Sequence, residues 1–350
     1  MSRQQTAATR EGADADVRTI LSIDGGGIRG VIPAVVLAEI EQRTGRRIAD
    51  LFHLIAGTST GGILAVGLTV PDANGRPKFP AKDLIDLYAN NGDRIFHKQR
   101  WRQLWSWISG ATYSPAELER VLKEFAGDAM LSEAVTGLLV TTWELRTRTA
   151  WFFRRAQARV DPTVNHPMRT IARATSAAPT YFPPLHLPGT KPDDYFALVD
   201  GGVFANNPGM AAWVDLHEGA RPDQKVFMLS LGTGSTDDPI SYRTALGWGK
   251  IRCAQPIIGV VLDGASDTVE HELGMLMSVT GNHYHRFQLD IPIENRQMDD
   301  ASKANIEALI GLAQKMIRER SDEIDQICTE LVALAPSLAP ANGAQPVAGR

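Results

Sequence analysis

Three stretches of this sequence carry residue types at spacings that could do chemistry. The first is Gly57-Thr58-Ser59-Thr60-Gly61, followed at once by Gly62. An apolar run, Leu51 to Ala56, precedes it, and a second, Ile63 to Leu68, follows. That order predicts a strand, a tight turn and a helix. Glycines flanking the serine let the backbone bend sharply without Cβ clashes. A serine at such a bend projects its hydroxyl above the sheet. The N-terminus of the following helix favours negative charge at the same spot. This suits a serine nucleophile whose attack develops an oxyanion.

The second stretch, Asp24-Gly25-Gly26-Gly27-Ile28-Arg29-Gly30, lies between a β-branched run (Thr19 to Ile23) and a helix-spaced segment (Val31 to Arg43) closed by Gly45. Gly25, Gly27 and Gly30 fit G-x-G-x-x-G, and Asp50 stands twenty residues past Gly30, as in a dinucleotide fingerprint. In the dinucleotide fold, however, the acidic residue ends the second strand. Here Asp50 precedes the apolar run, which ends in Gly57. An oxyanion loop is the other chemical reading. Gly25, Gly26 and Gly27 would expose N–H groups to a developing alkoxide, and Arg29 would add positive charge. A tight turn without chemistry is the bland one. In the third stretch, Tyr195 to Pro208, an apolar strand ends at Asp200, and Gly201 and Gly202 follow. An acid at the C-terminal end of a strand lies where α/β sheets hold their sites, although an isolated Asp there also serves as a turn or cap.

Further elements must position these groups. Helices are expected over 81–96, 118–125, 170–178, 209–217, 250–280 and 302–334, and strands over 138–145, 151–155, 195–200, 225–231 and 285–291. Trp101, Trp105 and Ile108 share one helical face and Arg100 and Arg102 the other, which reads as a core-packed helix or as a lid or membrane contact spanning Trp101–Trp107. Gly232 to Thr236 resembles a phosphate loop without its lysine and is read as a turn. His283 and His285 alternate on one strand, a weak metal signal without an acidic neighbour in sequence.

At 350 residues the chain holds one large α/β domain or two small ones. A net charge of −4 without a basic block argues against nucleic acid as partner. Two cysteines, Cys253 and Cys328, far apart, argue against disulfide or zinc scaffolds and for a reducing, cytoplasmic setting. Residues 1–18 are polar and 336–350 rich in Ala, Pro and Gly, so both ends are expected to be disordered tails. No apolar run reaches the ~20 residues of a membrane span, so any membrane contact would be peripheral.

The three motifs in this order, with Ala174-Thr-Ser-Ala-Ala-Pro-Thr-Tyr-Phe182 as further agreement, resemble the patatin-like phospholipase family over about residues 19–215. The resemblance implies a three-layer α/β/α sandwich with a mostly parallel central sheet. The core would span 19–215, and 216–335 would complete the same domain as a largely helical extension. It implies a Ser–Asp dyad, with Ser59 as nucleophile and Asp200 as general base. Gly25, Gly26, Gly27 and Arg29 would serve the oxyanion, and Gly30, Gly57, Gly61, Gly62, Gly201 and Gly202 would frame the motifs. Glycerophospholipids and related acyl esters are the implied substrates, and neither metal nor cofactor is required. Size and the C-terminal extension also resemble bacterial patatin-like effectors of cyclic-nucleotide antiphage signalling, the CapV type. That likeness implies a cyclic dinucleotide as allosteric activator, made by a partner nucleotidyltransferase, peripheral association with the inner membrane and a homo-oligomer. Arg100, Arg102, Arg154 and Arg155 are the basic candidates for such a ligand. The alternatives are an ungated esterase or lipase, a dinucleotide-binding oxidoreductase and a catalytically dead binding protein.

Overall fold

The computed structural model describes residues 17–96, 111–218, 221, 223–236, 239–247, 249 and 254–336. Trp101–Trp107, Arg100 and most of the two expected tails lie outside these residues. The first strand, β1 (Val17–Ile23), begins two residues inside the expected N-terminal tail. It is followed by helix α1 (Val31–Thr44), strand β2 (Leu54–Gly57) and helix α2 (Thr60–Thr69). Next come α3 (Ala81–Ile95), α4 (Pro115–Ala126), the hairpin of β3 (Gly137–Glu144) and β4 (Thr149–Arg154), and α5 (Met168–Thr175). A second antiparallel pair, β5 (Leu185–Pro188) and β6 (Tyr195–Asp200), leads into the one-turn α6 (Gly202–Ala205) and α7 (Gly209–His217). The segment after 215 supplies β7 (Lys225–Leu231), the long α8 (Ala254–Thr280), β8 (His283–Phe287), α9 (Lys303–Glu319) and α10 (Ser321–Leu334).

β1 lies at the centre of the parallel strands, with β2 on one side and β7 on the other. β3 and β8 extend the parallel set outward. Such strands are covered on both faces, and their side chains alternate between two cores. Leu21, Ile55, Val140 and Leu229 face the larger core under α1, α3 and α4, with α9 and α10. Ile20, Ala56, Leu139 and Met228 face a smaller one closed by α7 and α8. The result is the expected three-layer α/β/α sandwich.

One feature of the sheet positions the chemistry. β4 pairs with β3 over residues 139–144, so β2 and β6 must share the opposite edge of β3. They meet it from opposite directions. Gly57, at the end of β2, stands beside Val140, and Asp200, at the end of β6, stands beside Thr142. Two strand ends therefore converge head-on, two residues apart along β3.

Several local expectations need correction. The apolar run 51–56 is not one strand: a single helical turn, Ile48–Leu51, precedes β2. The run is apolar because both pieces are buried. The expected helix 302–334 is two helices, broken where Arg320 turns to grip Glu323 through both its Nε and Nη2. The last strand lies at 283–287, not 285–291. Among the described residues no helix is long and apolar enough to cross a membrane.

Candidate active site

Ser59 is the hinge between β2 and α2. Its backbone stands at φ 54° and ψ −122°, a conformation that costs an L-residue of order 1–3 kcal/mol and persists only when its surroundings enforce it. The enforcing contacts are visible. Ser59 N–H donates to Thr175 Oγ1 at 2.8 Å, and Thr58 N–H donates to the carbonyl of Ile23 at 3.2 Å. Thr58 Oγ1 ties the turn to α6 by donating to the carbonyl of Ala205 at 2.7 Å. Gly57 and Gly61 are required by proximity. A Cβ at Gly61 would lie 2.1 Å from the Ile23 carbonyl oxygen, and one at Gly57 would lie 2.2 Å from that of Gly61. The turn can close only where β1, β2 and α2 touch backbone to backbone.

Asp200 faces this turn from β6 and is 3 % exposed. The Ser59 hydroxyl lies close enough to its carboxylate to favour the charged form, and Gly202 N–H donates to Oδ1 at 2.7 Å. Burial is the dominant influence and pushes the carboxyl up to about 7, against the smaller pull of these two donors. A carboxylate poised near neutrality beside a strained serine can take the serine proton at ordinary pH.

The glycine loop supplies the third part, with a correction. Gly25 N–H donates to the carbonyl of Asn206 at 3.0 Å, so it is committed to holding the loop and does not serve an oxyanion. Gly26 and Gly27 N–H have no such acceptor among the described residues, and both glycines line the same cleft as Ser59. Gly27 stands at φ 59°, where a Cβ would meet the carbonyl oxygen of Met298 at 2.2 Å. Arg29 also differs from expectation. It is 8 % exposed, and its Nε donates to the Gly26 carbonyl at 3.4 Å. Desolvation disfavours its charge, and Asp263 on α8 balances it. A peptide plane points its N–H opposite its C=O. Arg29, by holding the Gly26 carbonyl, thus aims the Gly27 N–H away from itself and positions the donor.

Beneath the loop, Asp24 accepts two bonds from Arg286, at 2.7 and 3.1 Å. Arg286 also donates to Ser230 Oγ at 2.9 Å and to Glu270 at 3.1 Å. From β7's end, Thr233 Oγ1 donates to the Gly25 carbonyl at 2.7 Å. The loop is anchored by buried, satisfied polar groups, so its glycine amides are preorganised before any substrate arrives.

These groups stand at one end of an apolar cleft. Ile63 of α2, Leu87 and Ile95 of α3, Leu122 of α4, Phe182, and Ile258 and Leu262 of α8 line it. A flexible hydrocarbon chain fits such a lining, and its ester carbonyl would reach Ser59. Comparison with known proteins agrees with this geometry. The family model for patatin-like phospholipase matches residues 21–213. This chain belongs to the patatin-like phospholipase family. It is similar to Patatin-like protein 2 of Oryza sativa subsp. indica, at 32% identity over 91% of this chain and 90% of that protein. Patatin-like protein 1 of Arabidopsis thaliana is 32% identical, over 86% and 82%, and Patatin-2-Kuras 3 of Solanum tuberosum 31%, over 86% and 84%. Like other patatin-like phospholipases it is a hydrolase, of a family that typically works through a Ser–Asp pair.

Other expected features fall away from the cleft. Asp50, the candidate ribose acid, pairs with Arg76 at 2.6 Å. His283 and His285 do have acidic neighbours, contributed by α10. His283 Nδ1 lies 3.0 Å from Glu330 and His285 Nδ1 3.8 Å from Glu323. Among the described residues no cluster of His, Cys, Asp and Glu could hold a metal. Sequence reasoning did not assign roles to Thr175, Thr233 or Asn206. Thr175 lies in a segment noted only for family likeness, and its contact with Ser59 spans 116 residues.

Proposed function

We propose that this chain hydrolyses ester-linked acyl chains of glycerophospholipids through a covalent acyl–Ser59 intermediate. The observation that carries the proposal is the meeting of Ser59 and a buried Asp200, at two converging strand ends, in the wall of one apolar cleft. In the first half-reaction Ser59 Oγ attacks the ester carbon as its proton passes to Asp200. Gly26 and Gly27 N–H receive the developing oxyanion. Asp200 then protonates the departing alcohol oxygen. In the second half-reaction water attacks the acyl ester, Asp200 takes its proton, and Ser59 recovers it as the fatty acid leaves.

Bilayer lipid as the substrate source is supported by the surface beside the cleft. On α8, Ile258 and Leu262 line the cleft, while Ile257, Val260 and Val261 on the same two turns are 42–46% exposed. Tyr242 and Leu246 nearby in sequence are exposed as well. An apolar surface continuous with an acyl cleft suits peripheral contact with a bilayer. A cyclic-dinucleotide switch and an antiphage role gain no such support, and the proposal stands without a gate. Arg154 is already paired with Asp215 at 3.1 Å and Glu218 at 2.5 Å, and Arg100 and Arg102 lie outside the described residues.

The test is fatty-acid release from phosphatidylcholine vesicles beside hydrolysis of a soluble short-chain ester. The proposal expects both, and expects Val260→Glu with Val261→Glu to depress vesicle hydrolysis severalfold while sparing the soluble ester. Hydrolysis of the soluble ester alone by the wild type would reduce the function to an esterase.

A further inference from the structure

Asn206, just past α6, is 7 % exposed, yet its side-chain oxygen has no hydrogen-bond partner among the described residues. The neighbours of the amide fix which end is oxygen. One terminal atom lies 3.5 Å from the Gly25 carbonyl oxygen, which can only accept, so that atom is Nδ2 and donates. Nδ2 also donates to Ser266 Oγ on α8, at 2.9 Å. That leaves Oδ1 turned toward the dyad. The point where a Gly25 Cβ would stand is 2.3 Å from this oxygen and 3.2 Å from Ser59 Cβ. The point where a Gly202 Cβ would stand is 3.2 Å from it and 3.1 Å from Asp200 Oδ1. A bare acceptor thus stands near both nucleophile and base, in space kept open by two residues without side chains. Buried polar groups nearly always find a partner, so an orphan in an active-site cleft calls for a donor that arrives during turnover.

We propose that Asn206 Oδ1 is the second acceptor for the water that deacylates Ser59, an inference that rests on the hydrolase function assigned above. In the free enzyme the Ser59 hydroxyl stands against Asp200. Once acylated, Ser59 has no proton to give, and its ester carbonyl lies toward Gly26 and Gly27. A water then replaces the hydroxyl against Asp200. Water has two O–H bonds, and one acceptor leaves it free to spin about the other. With Asp200 on one proton and Asn206 on the second, its lone pair is aimed at the acyl carbon. The water oxygen bonds to that carbon as one proton passes to Asp200. The second proton stays on the oxygen that becomes the product carboxyl. The carbon–Oγ bond breaks, Ser59 Oγ takes the proton back from Asp200, and the fatty acid leaves and ionises. No other reactant is needed.

Methanol separates this role from a structural one. It has a single O–H, which Asp200 takes, so it attacks the acyl-enzyme without needing Asn206. With a p-nitrophenyl ester in water–methanol mixtures, Asn206→Ala should raise the ratio of methyl ester to free acid by roughly tenfold, the worth of one hydrogen bond. The ratio does not depend on how much of the variant folds. The size-matched Asn206→Leu should behave alike, and Asn206→Asp, which keeps an acceptor oxygen, should stay near the wild-type ratio. In each variant the Gly25 bond to the residue 206 main chain survives. An unmoved ratio in Asn206→Ala and Asn206→Leu overturns the proposal. If Ser59→Ala still releases p-nitrophenol, the hydrolase assignment itself fails, and this inference with it.

Discussion

Ser59→Ala is expected to lower ester hydrolysis by at least about a thousandfold, to the residual level that donors and binding alone sustain. The fold should survive. The backbone bond from residue 59 to Thr175 does not involve the side chain, and alanine tolerates φ 54° no worse than serine. Only the hydroxyl's contact with Asp200 is lost, worth at most about 1 kcal/mol. Activity by continuous ester assay, beside thermal unfolding followed by circular dichroism, checks both halves. A variant that is folded and active would remove Ser59 from the chemistry.

Asp200→Asn is expected to cut turnover by about a thousandfold or more and to make the protein more stable. The two effects share a cause. Burial holds the Asp200 carboxyl near 7, far above the ordinary aspartate value of about 4. Below about pH 4 the group is protonated in folded and unfolded chains alike, and Asn gains nothing over Asp. Between about pH 4 and 7 the unfolded chain ionises while the folded chain keeps its proton, so the wild type loses stability as pH rises. Above about 7 the loss is complete, on the order of 4 kcal/mol. The Tm advantage of Asp200→Asn should therefore grow from pH 4 to 7 and level off beyond. Wild-type kcat/KM should rise over the same range with a midpoint near 7, because the base acts only when ionised. An advantage that is flat with pH, or a rate that does not fall in acid, would contradict this electrostatic account.

Much of this site is legible in the chain. Ser59 between two glycines after an apolar run, and Asp200 before a glycine pair, are local patterns. Their chemistry is set by residue type and by the strand ends they occupy. The parallel core is legible for the same reason: strands buried on both faces read as mostly apolar runs, as in 138–145 and 225–231. What joins Ser59 to Asp200 is not local. It depends on β6 running antiparallel into the same edge of β3 that β2 occupies, a register that no periodicity reports. The Gly25 error has a similar origin. Its sequence context exposes an N–H, but a carbonyl 181 positions later takes it. Arg29 looked like a charge for the oxyanion because its partner, Asp263, comes from a distant helix. Asn206 carries no signal of its own in the sequence, and only its unpaired oxygen within the assembled site gives it a role.

The most direct measurement of the central claim is covalent capture by a long-chain alkyl fluorophosphonate, with the adduct located by peptide mass spectrometry. The account predicts one adduct, on Ser59, formed faster as pH rises through about 7 and absent in Ser59→Ala. An active protein that carries its adduct on another residue, or carries none, would contradict it.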